Sequence, residues 1–221
     1  MKPIKISFII IFINLLIYYV TDLLLANSEV YYQHFSDRLT HEQINDLLAK
    51  GHYWAWLKYM VLVLVYFFKF LLITFSLYVG YFFTSLKKKV SFNEIFQVVL
   101  LSEMVFFVPA ILRILWFLFI QPQYTLQDLQ LFFPLAAINL FEANQLEPWL
   151  VYPLQVLNVF EIAYWLVLAY GMMQIANTPI IESSKKYTLN LERAFGLVAA
   201  NYGTGLVVWV AIMVFLTLSY T

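Results

Sequence analysis

The sequence predicts an all-α integral membrane protein with five transmembrane helices. Three observations carry this. Of the 221 residues, 63% are hydrophobic and only 12% charged, far from the balance of a soluble domain. Five apolar runs, at residues 6–26, 57–84, 92–120, 154–176 and 194–220, are long enough to cross a bilayer core, which takes about 20 helical residues. The basic residues then fall on the side where five crossings would gather them. The chain reads as one membrane domain, 1–221.

The run at 92–120 makes the strongest demand on its neighbours. Glu103 and Arg113 lie inside it, with Pro109 between them. A charge facing lipid is costly, so such residues face protein or water. The other runs must supply partners.

In chain order, residues 6–26 follow Lys2 and Lys5. The run is too long for a secretory signal core, and Leu24 stands where a cleavage site needs a small residue, so it predicts a first span bearing Asn14 and Asp22. Residues 27–56 are the conspicuously polar region. Thr40 with Gln43 forms a capping box opening a short amphipathic helix, with Ile44, Leu47 and Leu48 on one face and Gly51 as its stop. A helix of this length lies on the membrane surface or against the bundle and does not cross. Tyr53, Trp54, Trp56 and Tyr59 mark the aromatic belt.

Along the second span, Lys58, Leu62, Val65, Lys69, Leu72, Ser76 and Gly80 recur at helical spacing, which puts Lys69 near mid-membrane on a stripe containing the few polar or small residues. Lys87, Lys88 and Lys89 follow, and Ser91 with Glu94 caps the third span. Residues 121–153 are broken by Pro122, Pro134, Pro148 and Pro153 and carry Asp128, Glu142 and Glu147 without a Lys or Arg. They predict an interfacial hairpin in the second outer loop. The fourth span carries Asn158 and Glu161. A polar loop with Lys185, Lys186 and Arg193 precedes the fifth, where Gly196, Ala200 and Gly203 form a small-residue packing face. The positive-inside rule then places the amino terminus in the cytoplasm and the carboxyl terminus outside.

Lys69, Glu103, Arg113 and Glu161 are the charged residues away from the ends of the spans, two of each sign. Counting depth at about 1.5 Å per residue makes Arg113 level with Glu161 and lets Lys69 reach Glu103. Interhelical ion pairs fixing spans two, three and four are the structural reading; a polar track for ions or a substrate is the functional one. Asn158, Tyr164 and Asn201 would extend such a track, or serve as interhelical hydrogen-bond contacts.

Several function classes are not supported. The formal charge of zero argues against nucleic acid, and the absence of cysteine removes thiolate chemistry. His34, His41 and His52 lack compact metal-ligand spacing, so no metal and no cofactor is expected. No GxSxG, phosphate loop or paired acid and nucleophile indicates an enzyme.

The stretch LLSEMVFFVPAILRIL, with Glu103 early and Pro109 midway, and LNVFEIAYWLVLAYGMMQIA, with Asn158, Phe160, Trp165 and Gly171, resemble the Yip-domain family of small polytopic membrane proteins. A final span rich in small residues (Ala194, Ala199, Gly203) adds to the likeness, which covers about residues 91–215. The resemblance implies a five-helix fold and a non-enzymatic role. The family's long cytoplasmic amino-terminal segment is not matched, because here the first apolar run begins almost at once. The expected function is therefore a non-catalytic subunit or scaffold in a bacterial inner membrane, in contact with lipid and with other membrane proteins or its own copies. The competing expectation is a small permease or ion-pathway component lined by the four charges.

Overall fold

The computed structural model describes residues 3–84, 89–142, 146–177 and 189–220. Lys2, Lys87, Lys88, Lys185 and Lys186, which anchor the expected orientation, lie outside them. Among the described residues the fold is helical, with no strand beyond one antiparallel bridge between Ala136 and Asn158. Five helices are long and apolar enough to cross a membrane: Ile4–Leu25, Ala55–Phe82, Phe92–Ile120, Val159–Asn177 and Leu191–Tyr220.

Helix α1 (Pro3–Leu25) is the first of these. Two loop helices come next. The Asn27 side chain accepts from the Val30 amide to open α2 (Ser28–Phe35), and the Thr40–Gln43 capping box opens α3 (His41–Tyr53). Ile44 is buried on α3, whereas Leu47 is exposed. Gly51 does not stop this helix. Terminating glycines adopt a positive φ, no glycine here has one, and the turn continues as the Trp54 amide bonds the Lys50 carbonyl.

Helix α4 (Ala55–Phe82) turns Phe70, Ile73, Thr74, Leu77 and Tyr81 inward. The stripe of polar and small residues is not this buried face, and its member Leu72 is 64% exposed. Lipid is as apolar as a helix interface, so hydrophobicity around this helix did not say which side faces protein. Lys69 sits at the edge of the buried face.

The third span is one rod with two irregular turns. The Ser91–Glu94 capping box opens α5 (Phe92–Ser102), a 3-10 turn spans Glu103–Phe106, α6 (Phe107–Leu115) continues the rod, and a π turn spans Trp116–Ile120. Pro109 explains the first irregularity. It has no amide hydrogen for the Val105 carbonyl, and its ring crowds the preceding turn, which tightens.

The second loop holds α7 (Leu126–Leu131), opened by a Thr125–Asp128 capping box, a 3-10 turn at Ala137–Leu140, and α8 (Pro148–Val156). The fourth span, α9 (Val159–Asn177), starts five residues later than residue 154, because the backbone breaks at Leu157 and Asn158. The loop repairs the break. The Ala137 amide donates to the Leu157 carbonyl at 2.8 Å and the Val159 amide to the Leu135 carbonyl at 3.2 Å. Leu135 takes a left-handed φ of 53° to make this possible. The last span comprises α10 (Leu191–Val198), a π turn at Ala199–Gly203 and α11 (Thr204–Tyr220).

The core lies among α4, α5, α9 and α10, with Phe70, Leu77, Ile95, Val99, Leu168 and Met172 at its centre. Small residues set its spacing: a β-carbon on Gly171 would stand 2.5 Å from a Val98 methyl, and one on Gly80 2.1 Å from the Asn201 amide. A smaller cluster of Leu25, Val30, Phe117 and Leu129 ties the loop helices to the ends of the first and third spans. Helix α11 buries no residue.

Candidate functional site

The four intramembrane charges do not form two pairs. Lys69 and Glu103 meet, with Nζ 2.6 Å from Oε1. The 3-10 turn places the Glu103 carboxylate inside the bundle at 1% exposure, while the lysine stem climbs from the edge of α4 and stays 34% exposed. The ammonium also lies over the Phe106 ring, 4.8 Å from its centroid. The second carboxylate oxygen, Oε2, is buried without a hydrogen-bond partner, and so is the Tyr164 hydroxyl.

Arg113 and Glu161, expected to pair because of equal depth, instead bond separate neutral groups. The Arg113 Nη2 donates to the Leu129 carbonyl, in the last turn of α7, where the helix dipole is negative. The Gln155 amide donates to the neighbouring Gln130 carbonyl at 2.8 Å, so side chains cap this short helix from two directions. Glu161 Oε1 instead accepts from the Tyr202 hydroxyl at 2.7 Å and from the Trp165 indole at 2.9 Å. Equal depth is necessary for pairing but says nothing about azimuth, and three neutral donors and acceptors proved nearer.

The expected polar contacts divide. Asn158 is a helix cap: its Oδ1 accepts from the Glu161 amide at 2.8 Å and its amide bonds the Gln155 carbonyl at 2.8 Å. Tyr164 packs between Phe106 and Tyr202 in the core with centroid distances of 5.0 and 5.3 Å, making an aromatic contact where a hydrogen bond was expected. Asn201 bonds its own helix at Leu197 and presses on Gly80 of α4.

Gly203 packs against Trp165, but Gly196 and Ala200 point outward, so the expected packing face is split. Seven residues apart, Gly196 and Gly203 would share one side of a regular α-helix. The π turn between them adds a residue and rotates the helix beyond it.

One contact went unread in the sequence. Asp22 and Lys58 form an ion pair of 2.9 Å joining α1 to α4. Both lie at the same end of successive spans, so the depth count applied to the other charges would have found it. Beside this pair opens a cavity of about 420 Å³ between α1, α4, α6 and the loop helices, with Asn14, Tyr18, Tyr66, Phe106 and Arg113 on its wall. Among the described residues no three His, Cys, Asp or Glu side chains gather to hold a metal, and the three histidines stay in α2 and α3.

Five membrane-length apolar helices with an ion pair between two of them define an α-helical integral membrane protein. Comparison with protein-family models, with curated proteins and with solved structures finds no match for the chain.

Proposed function

We propose that the protein is a non-catalytic membrane subunit or scaffold that binds another membrane protein or a second copy of itself through its last span. The observation carrying this is the last span itself. Helix α11 buries no residue within the chain and is tied to α8 by a Trp209–Tyr152 hydrogen bond of 2.8 Å. Just before it, Gly196 and Ala200 are exposed, with nothing within 4 Å of a β-carbon at Gly196. Small outward residues allow helix backbones to approach closely in lipid. The Yip-like motifs at Glu103–Pro109 and Asn158–Gly171 favour the same non-enzymatic role, in a bacterial inner membrane.

The protein purified in a mild neutral detergent is expected to run as an oligomer or complex, and Gly196→Leu with Ala200→Leu is expected to release a folded monomer. A wild-type chain that stays monomeric in detergent and resists crosslinking in the bilayer would sink the proposal.

In the proposed orientation the amino terminus is cytoplasmic and the loops bearing α2, α3, α7 and α8 lie in the outer interface, where exposed Tyr53, Trp54 and Trp56 suit a headgroup belt. The chain has no cysteine of its own, so Lys89→Cys and Tyr220→Cys can be labelled cleanly. They are expected to react with an impermeant thiol reagent from opposite sides of a vesicle; labelling from one side refutes the five-crossing orientation.

A second reading, a small ion or substrate pathway, is favoured by the unpartnered Glu103 Oε2 and Tyr164 hydroxyl at the bundle centre. Flux in proteoliposomes that a folded Glu161→Gln variant loses would establish it over the scaffold.

A further inference from the structure

The cavity beside α1 holds a positive charge that the described residues leave without an ion-pair partner. Among the described residues the ion pairs are Lys58–Asp22 and Lys69–Glu103, and neither includes Arg113. The Arg113 guanidinium, on the cavity wall, gives Nη2 to a neutral carbonyl, and its Nε is buried without a partner. The carboxylate in the lining, Asp22, is already engaged by Lys58. An uncompensated cation inside a membrane bundle is costly, and an incoming anion removes that cost.

Shape then narrows the ligand. The wall runs along α1 from Asn14 to Leu25, which is about 16 Å of helix at the standard rise. Ile17, Leu25, Phe106 and Leu129 make much of it apolar. A compact anion would fill one end only. An extended chain with one charged head would fill the length, and about 420 Å³ is within the range of small-molecule sites.

We infer that this cavity binds a monoanionic amphiphile, its carboxylate or phosphate head on Arg113 and its hydrocarbon tail along the apolar wall of α1 and α6. Fatty acids and anionic phospholipids share that chemistry. The site is independent of the docking face on the last span.

The test uses the full chain in a neutral maltoside detergent, with thermal unfolding monitored as probes are added. Oleate or phosphatidylglycerol is expected to raise the midpoint by several degrees, and comparing the two tells which source supplies the head. Phosphatidylcholine of the same chains and inorganic phosphate are expected to leave it unchanged. Arg113→Gln should weaken the response about tenfold or more in ligand concentration. Because that variant also loses the bond to Leu129, Ala110→Leu is the second arm: it narrows the cavity one turn from Arg113, keeps the guanidinium and should weaken the shift. Equal shifts from phosphatidylcholine or inorganic phosphate, or an undiminished shift in a folded Ala110→Leu protein, would overturn the inference.

Discussion

Replacing Lys69 with methionine is expected to destabilise the protein by about 3 kcal/mol, measured by reversible unfolding in mixed micelles. Removing one partner of a buried pair leaves the other charge uncompensated, which costs about 3–5 kcal/mol in well-enclosed sites. The low end applies because the lysine is 34% exposed, whereas Glu103 is 1% exposed. The asymmetry gives a sharper test. Glu103→Gln should cost less than Lys69→Met, since the freed lysine can stretch toward the interface while a freed carboxylate has no exit. The double variant should be more stable than Lys69→Met alone, because nothing charged is then left inside. Should Lys69→Met melt with the wild type, the ion pair would contribute nothing to holding α4 against the third span.

The second large effect is expected at Gly171. An added β-carbon there would stand 2.5 Å from Val98 Cγ1, and Val98 is buried on α5 with a stiff branched side chain. Gly171→Leu must therefore push α9 away from α5 through the centre of the core, at a cost of about 3 kcal/mol or more, at the top of the overpacking range. Gly171→Ala should cost less, since the better helix propensity of alanine, about 1 kcal/mol, offsets part of the clash. Gly196→Ala is the control: with open space around it, the substitution should be neutral or slightly stabilising. Equal stability of Gly171→Leu and wild type in the same unfolding assay would mean that α5 and α9 stand farther apart than this contact requires.

Membrane-length helices were legible because the bilayer imposes a length, and the capping boxes at Thr40 and Ser91 because their chemistry is local. The same local rule was available at Thr125–Asp128 but was obscured by the prolines around it. Inward faces were harder to read. Around α4 every side is apolar, and the buried set proved to be Phe70, Ile73, Thr74, Leu77 and Tyr81 where the polar stripe pointed elsewhere. The charges showed the same limit. Depth comes from counting residues, and it matched Lys69 with Glu103. It could not see that the carbonyl end of α7 reaches Arg113, because α7 enters from a loop whose path no periodicity encodes. The 3-10 turn before Pro109 was foreseeable from the imino nitrogen, but the surplus residue at Ala199–Gly203 has no comparable signature.

That surplus residue amounts to a swivel. Deleting one codon within 199–203 would convert the wide turn to a regular one, spinning the carboxyl-terminal rod by about 100° and drawing it in by about 1.5 Å. Because α11 buries no residue fully, the rotation would be felt within the chain chiefly where Leu206 leans on the core and where Trp209 bonds Tyr152. A lineage could thus redirect its outermost surface toward a new neighbour in one indel, with compensation needed chiefly at those two contacts.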